Sequence, residues 1–251
     1  MNPLISIITV CFNSAKTIRQ TIESMLNQTY TNIEYILVDG KSTDNTVTII
    51  EEYAPQFAAK GIIYRWISEP DGGIYDAINK GIKLAIGEWV NIQGSDDWLE
   101  LDACEQIHTQ VLSDTLSTLI YGITKCYKNQ NLIALEQIYH NQLPNRTTCH
   151  QAIFYKKSLH DKYGYYSTEY KICSDYDFLL KCFLAKEVFT PLNKIIANFS
   201  LNGTNDKLHH LSMKEMINIK IKYNLASSKH LLIVNLKSLV FQILRKLNLS
   251  V

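Results

Sequence analysis

Residues 91–99 read NIQGSDDWL, in which two adjacent carboxylates, Asp96 and Asp97, follow an apolar run and a glycine. Carboxylate oxygens so placed can hold a hard divalent cation, the usual means of neutralising charge that develops on a departing diphosphate. The same pair can equally be a turn, because aspartate bonds its own backbone and caps helices. Other polar residues with chemical potential stand apart along the chain: Asp39 in DGKSTD (39–44), Asp71 in SEPDGG (68–73), His150 in CHQAIFYKK and Asp175 in CSDYDFLLK. Gly72 and Gly73 permit positive φ or a close approach to phosphate, and the helix expected after them offers an anion its positive end.

Elements must bring these residues together. LISIITV (4–10) reads as a buried strand, and IEYILV (33–38), GIIYRWI (61–67) and WVNIQ (89–93) read as the next three strands. Between them run helical periodicities: Ile18, Ile22, Met25 and Leu26 behind a candidate cap Ser14; Val47, Ile50, Ala54 and Phe57 behind Asp44; Ile74, Ile78, Ile82, Ala85 and Ile86, closed by Gly87. Strand and helix in alternation predict βαβ units and a mostly parallel sheet covered on both faces. In such sheets ligands bind beyond the carboxyl ends of the strands. Those ends are followed by CFNS, DGKSTD, SEPDGG and GSDDW, where polar and acidic residues collect. Residues 116–128 and 131–140 predict an antiparallel pair, CHQAIFYKK another strand, and SDYDFLLKCFLAK a helix capped by Ser174 with Tyr176, Leu179, Leu180 and Phe183 inward.

The 251 residues, 46% hydrophobic and 20% charged, suffice for one large domain or a domain with an appendage. Neither G-x-G-x-x-G nor a Walker-type lysine loop is present, which argues against ordinary dinucleotide and ATP sites. Six cysteines without a C-x-x-C pair read as reduced thiols of a cytosolic protein, and a zinc site is not expected. The N-terminus has no basic n-region, so the sequons at Asn145, Asn198 and Asn202 read as chance.

Six motifs arrive in order, SIITVCFN, ILVDGKSTDNT, SEPDGGIYDAINKGIKLAIGEW, NIQGSDDWL, CHQAIFYKK and CSDYDFLLK. Through them residues 4–200 resemble the family 2 glycosyltransferases. The resemblance implies an α/β GT-A fold: a mostly parallel nucleotide-binding sheet flanked by helices, a mixed antiparallel acceptor-side portion and C-terminal helices. It further implies transfer of a sugar, with inversion, from a nucleotide sugar to an acceptor hydroxyl, in the bacterial surface-polysaccharide, colanic-acid-type subgroup. By similarity to the DXD-type motif, here SDD (95–97), Asp97 would bind Mn2+ or Mg2+ and Asp96 would face the ribose or a metal-bound water. Ser95 stands where the family often has a carboxylate, which would weaken metal affinity.

The same resemblance implies that Asp39 accepts the uracil imide N–H, favouring a UDP-sugar, although the position also suits a turn before Gly40. Phe12 would pack on the base or in the core, and Asn13 would lie near the nucleotide. Asp71, Asp76 and Asn79 would line the donor side, Asp71 foremost. Asp175 matches the base of an "ED"-like motif, with Ser174 replacing the first acid; inversion calls for a carboxylate across the anomeric centre from the leaving group. His150, with Gln151, would contact the diphosphate or the acceptor, and the tyrosines of GYYSTEY (164–170) could stack on a sugar.

From Lys207 onward the net charge is +7, against −6 for residues 1–206. We read residues 1–205 as the catalytic domain and 206–251 as a basic amphipathic helical appendage. Leu232, Leu236, Leu239, Val240, Ile243, Leu244 and Leu247 recur among Lys237, Arg245 and Lys246. That run is too short and too charged to span a bilayer, and it suits an anionic membrane surface or a protein face. Expected partners are a nucleotide sugar and a glycan or lipid-linked acceptor, in the cytoplasm or on the inner membrane face; the acidic body argues against nucleic acid. Two other functions fit an acidic α/β sheet, a sugar nucleotidyltransferase and a non-catalytic nucleotide-sugar binder. The first should carry a glycine-rich basic loop where CFNSAKT stands.

Overall fold

A computed structural model describes residues 2–201 and 209–227. Four strands, β1 (Ile5–Cys11), β2 (Ile33–Asp39), β3 (Ile63–Ser68) and β4 (Trp89–Gly94), are parallel in the order β3-β2-β1-β4. Every residue of β1 and β2 is buried, as expected of strands covered on both faces. Alternation along β1 divides the core: Ile5 and Ile7 join an apolar cluster with α1 (Ile18–Leu26) and α2 (Thr46–Ala59), whereas Ile8 and Val10 face α3 (Ile74–Leu84).

The register decides where the functional loops emerge. Cys11 pairs Asp39, Asp39 pairs Ser68, and Val10 pairs Gly94. All four strands therefore end level at one edge, and β1 lies between β2 and β4 at the point where the winding reverses, the usual ligand crevice of an open α/β sheet.

Beyond β4 the sheet becomes mixed. After β5 (Trp98–Leu99) and α4 (Ala103–Ser113), β6 (Leu119–Lys128) and β7 (Asn131–Glu136) form a hairpin. Its two turn residues, Asn129 and Gln130, both have positive φ, the conformation that follows strand twist in a two-residue hairpin. β8 (Ile153–Lys156) joins β4 to β6 antiparallel, and β9 (Phe189–Ser200) runs parallel to β6 and antiparallel to β5. α5 (Leu159–Tyr163), α6 (Ser174–Leu184) and α7 (His209–Lys222) pack beside α3 on the second face.

Three local expectations are corrected. Ser14 does not cap α1: the helix begins four residues on, and the Ser14 hydroxyl instead meets Ser95 Oγ at 2.7 Å. Ser174 is the first helical residue of α6, with its Oγ buried and without a hydrogen bond among the described residues. The buried stripe of α2 is Ile49, Ile50, Tyr53 and Phe57, leaving Val47 and Ala54 half-buried. Asp44 stands one residue before the N-cap of α2, Asn45, and accepts from Thr46 N, the first helical residue, at 3.0 Å.

Of the expected appendage, α7 is built into the body. Ile219 is buried in the second cluster, and Lys222 Nζ pairs with both oxygens of Asp177 at 3.0 Å. Residues 228–251, with their leucine pattern, lie outside the described residues. No described helix is long and apolar enough to cross a membrane.

Candidate active site

The turn after β4 folds back on itself, with Asp97 N donating to Gly94 O at 3.3 Å. A Cβ on Gly94 would stand 2.7 Å from Asp97 Oδ2 and 3.2 Å from Asp96 Oδ1. The glycine is thus required by close approach of two carboxylates rather than by its φ. Asp97 is 2% exposed; its Oδ1 accepts from Ser200 N and its Oδ2 from Gln151 Nε2, both at 2.8 Å. Burial, and then the neighbouring charge of Asp96, push the Asp97 pKa up to about 7, and burial raises that of Asp96.

Asn91 and Gln93, polar residues inside β4, explain how Gln151 is aimed. Asn91 Nδ2 donates to Gln151 O and Ile153 O, at 2.9 and 2.8 Å, and Gln93 Nε2 donates to Gln151 O at 2.8 Å. Gln93 Oε1 is buried beside the carboxylate turn with no hydrogen-bond partner among the described residues. The residue before Gln151 faces the other way: His150 Nδ1 meets Asp175 Oδ2 at 3.0 Å. Tyr75 Oη, at the start of α3, lies 2.7 Å from Asp175 Oδ1 and also meets Ile172 O. Burial opposes the Asp175 anion, but the bonds from His150 and Tyr75 outweigh it and hold the carboxyl below its usual range. Burial likewise opposes the His150 cation, yet Asp175, with Asp97 beyond, raises its pKa. Since Asp175 is ionised, Nδ1 carries the proton of that bond, which leaves Nε2 for a ligand.

A cavity of about 260 Å3 lies over His150 and Asp175, walled by Glu136, Cys149 and Phe199. His150, Gln151 and Phe199 also wall the adjoining cleft over Asp96 and Asp97. The dipeptide His150–Gln151 thus separates, and binds to, the carboxylate pair on one side and Asp175 on the other.

The expected nucleotide side is more divided. Phe12 is 60% exposed, free for a stacking partner and not a core residue. Asp71 Oδ2 reaches across to Gly40, 2.5 Å from where a Cβ would be, and Phe12 lies at 3.5 Å from the same point, so Asp71 and Phe12 share one rim. Asp39, in contrast, is wholly buried: Oδ2 accepts from Ser42 N at 2.9 Å and Ser68 Oγ at 2.6 Å, and Oδ1 accepts from Ser42 Oγ. In this arrangement it holds the loop together. Asn13, at φ 49°, accepts from Thr43 N at 2.8 Å and latches the loops after β1 and β2. Asn79 is withdrawn from the donor side: its amide clamps Tyr166, donating to O at 2.8 Å and accepting from N at 3.0 Å. Asp76 accepts from Gly72 N at 2.9 Å. Tyr166 is buried, Tyr165 stacks one face on His160 at 5.5 Å yet is 42% exposed, and Tyr170 walls a cavity with Gly72 and Gly73.

Tyr75, Asn91 and Gln93 were not expected, nor was Glu215 of α7. The Glu215 carboxylate accepts from the backbone N–H groups of Lys171, Ile172 and Cys173 at 2.8–3.1 Å, immediately before Asp175.

Residues 6–175 match the sequence profile of a family described as Glycosyl transferase family 2. A relative from Mycobacterium bovis (strain BCG / Pasteur 1173P2), named PGL/p-HBAD biosynthesis glycosyltransferase, is 32% identical over 207 residues, covering 80% of this chain and 78% of the relative. The Staphylococcus aureus TarS 1-349 structure in complex with UDP superposes with a TM-score of 0.67 at 21% identity, over 86% of this chain and 64% of that one. The mannosyltransferase PcManGT from Pyrobaculum calidifontis, in complex with GDP-Man and Mn2+, gives 0.68 at 16% identity, over 90% and 66%. At such identities the two structures speak for the fold, a mixed α/β GT-A sheet with flanking helices.

Proposed function

The chain belongs to glycosyl transferase family 2, and from that premise we propose that it transfers a sugar, with inversion, from a nucleotide sugar to a hydroxyl of a glycan or lipid-linked acceptor in surface-polysaccharide synthesis. One observation carries the reading: His150 and Gln151, consecutive residues, join Asp175 and Asp97 across a continuous cleft. A buried carboxylate pair at a strand end, facing a separate ionised carboxylate, supplies the two poles that inversion needs, one at the leaving group and one at the attacking hydroxyl. A sugar nucleotidyltransferase has no use for the second pole, and a pure binding protein has none for the His150–Tyr75 cradle around it.

The residues fit a hard divalent cation. Oxygen ligands converge over the Cβ-free Gly94, and each oxygen of Asp97 keeps a lone pair beyond its single hydrogen bond. Asp97 and Asp96 would hold Mn2+ or Mg2+, which when bound neutralises charge on the diphosphate. His150, biased toward its cation, adds a hydrogen-bond donor at Nε2. Asp175 accepts the acceptor's proton on a lone pair left free by Tyr75 and His150, while those two residues fix its direction. Phe12 and Asp71 form the rim for the base and ribose, with a UDP-sugar favoured over a GDP-linked donor. Asp39 would meet the base only by exchanging an internal partner, so its role toward uracil is the feature most open to test. The reading places the protein in the cytoplasm or on the inner face of the membrane, reached through residues 228–251, with the colanic-acid-type subgroup as its finer assignment.

The test is a thermal-shift panel of UDP, GDP, CMP and dTDP, each with and without Mn2+, on wild type, Asp97→Ala and Asp175→Asn. Ligands that bind only the native state raise the midpoint. UDP with Mn2+ should stabilise wild type; Asp97→Ala should lose the metal-dependent part, and Asp175→Asn should keep it while losing transfer. If no nucleotide shifts any midpoint, the carboxylate pair is a turn and the proposal fails.

A further inference from the structure

Away from the carboxylate pair, three groups from distant parts of the chain converge. Cys126 lies on β6, Glu136 ends β7, and Cys149 precedes β8; their two sulfurs and a carboxylate oxygen all lie within 4.8 Å of one another. Register brings the first two together: Cys126 pairs Ala134 and Thr124 pairs Glu136, so Cys126 and Glu136 are diagonal neighbours on one face of the hairpin. Cys149 Sγ lies 3.8 Å from Glu136 Oε2, and Glu136 has no basic partner among the described residues. Three groups that are anionic when deprotonated thus share a pocket without a cation. Glu136 and Cys149 also wall the cavity over His150 and Asp175.

We propose that Cys126, Glu136 and Cys149 form a binding site for a soft divalent cation of the Zn2+ class, with its fourth position open to the cavity over His150. Thiolate sulfur selects zinc over Mn2+ or Mg2+, and two sulfurs with one carboxylate leave a tetrahedral ion one position for water or a ligand. Binding releases the thiol protons to solvent. A bound ion would tie the β6–β7 hairpin to the residue before His150. The site is separate from Asp96 and Asp97, so it stands whether or not the donor-side reading does.

The probe is Co2+ added to the reduced full-length protein. One equivalent should produce a thiolate-to-cobalt charge-transfer band with the strong visible bands of tetrahedral cobalt, and Zn2+, but not Mn2+, should displace it. Cys126→Ser and Cys149→Ser should each abolish the band. Glu136→Gln, which keeps the shape of a half-buried side chain and so should fold, should weaken binding by roughly tenfold or more. Cys104→Ser should leave the spectrum unchanged. No charge-transfer band in wild type, or a band that survives both cysteine replacements, overturns the proposal.

Discussion

Replacing Glu215 by alanine removes the acceptor of three consecutive backbone N–H groups, those of Lys171, Ile172 and Cys173. The carboxylate is 6% exposed, and the segment it holds leads directly into α6, whose second residue is Asp175. A hydrogen bond to a charged group contributes about 1.5–3 kcal/mol. Lys171 is exposed, so water can replace its bond. The other two lose theirs in a half-buried or buried setting, which gives a loss of about 3–6 kcal/mol, a large share of the ~5–15 kcal/mol that keeps a domain folded. Glu215→Gln keeps one acceptor oxygen and should lose about half as much. Urea unfolding of the three proteins at neutral pH reads these values. Transfer rates measured where all three are folded should fall in the same order, with the donor KM unchanged, because the strand-end loops do not touch Glu215. An alanine variant within about 0.5 kcal/mol of wild type, the scatter of ordinary surface changes, would refute the claim that α7 holds the Asp175 segment.

Three further outcomes are expected. His160, 3% exposed between Tyr165 and Phe178, has its pKa pushed down from 6.5 to about 4 by burial; the unfolded chain therefore takes up its proton first as pH falls. Its contribution is complete above the unfolded value and is lost on acidification, by about 2 kcal/mol between about pH 7 and about pH 5, a dependence that thermal melts should show flattened in His160→Gln. Gly94→Ala places a Cβ 2.7 Å from Asp97 Oδ2, so the Mn2+-dependent part of any nucleotide stabilisation should disappear while the metal-free part remains, as thermal shift would show. Phe12→Ala should leave the unfolding midpoint unchanged and weaken donor binding by about 1–3 kcal/mol if the exposed ring stacks on the base, measured by nucleotide titration.

The parallel half of the fold was legible because its inner strands, β1, β2 and β4, are buried and its strands end in polar and acidic loops, whereas the edge strand β3 is only half-buried. The level of those ends, and hence the convergence of the loops, follows from register. Asp97, Asp175 and His150 could be singled out as residues, but their connection could not. It passes through Asn91 and Gln93, whose alternation in β4 reads like a half-exposed strand when in fact both are fully buried. Tyr75 resembled one more apolar residue of an amphipathic helix. Glu215 was hidden in a basic tail as its lone acid, and only its burial shows the charge at work. Asn79 and Tyr166 were hidden for a related reason: the Asn79 amide is taken up by the Tyr166 backbone, and the Tyr166 ring is buried in the second cluster. The cysteine cluster escaped because its ligands come from a hairpin and a separate strand entrance, a spacing that no short motif describes.

The His150–Gln151 dipeptide constrains how the two poles can move. Both of its side chains are committed, one to each carboxylate, and its Gln151 carbonyl is fixed to β4 by two amide hydrogen bonds, from Asn91 and Gln93. Asp97 is fixed in turn to β9 by Ser200 N. The separation of Asp97 from Asp175 is therefore set by sheet pairing among β4, β8 and β9, rather than by closure of a loop. Asp175 alone is held partly from outside the sheet, by Tyr75 of α3 and, through residues 171–173, by Glu215 of α7. If Asp97 and Asp175 have the proposed roles, a rigid donor pole facing a base whose orientation depends on two helices means that variation in α3 or α7 would act on the acceptor step and leave nucleotide and metal binding intact.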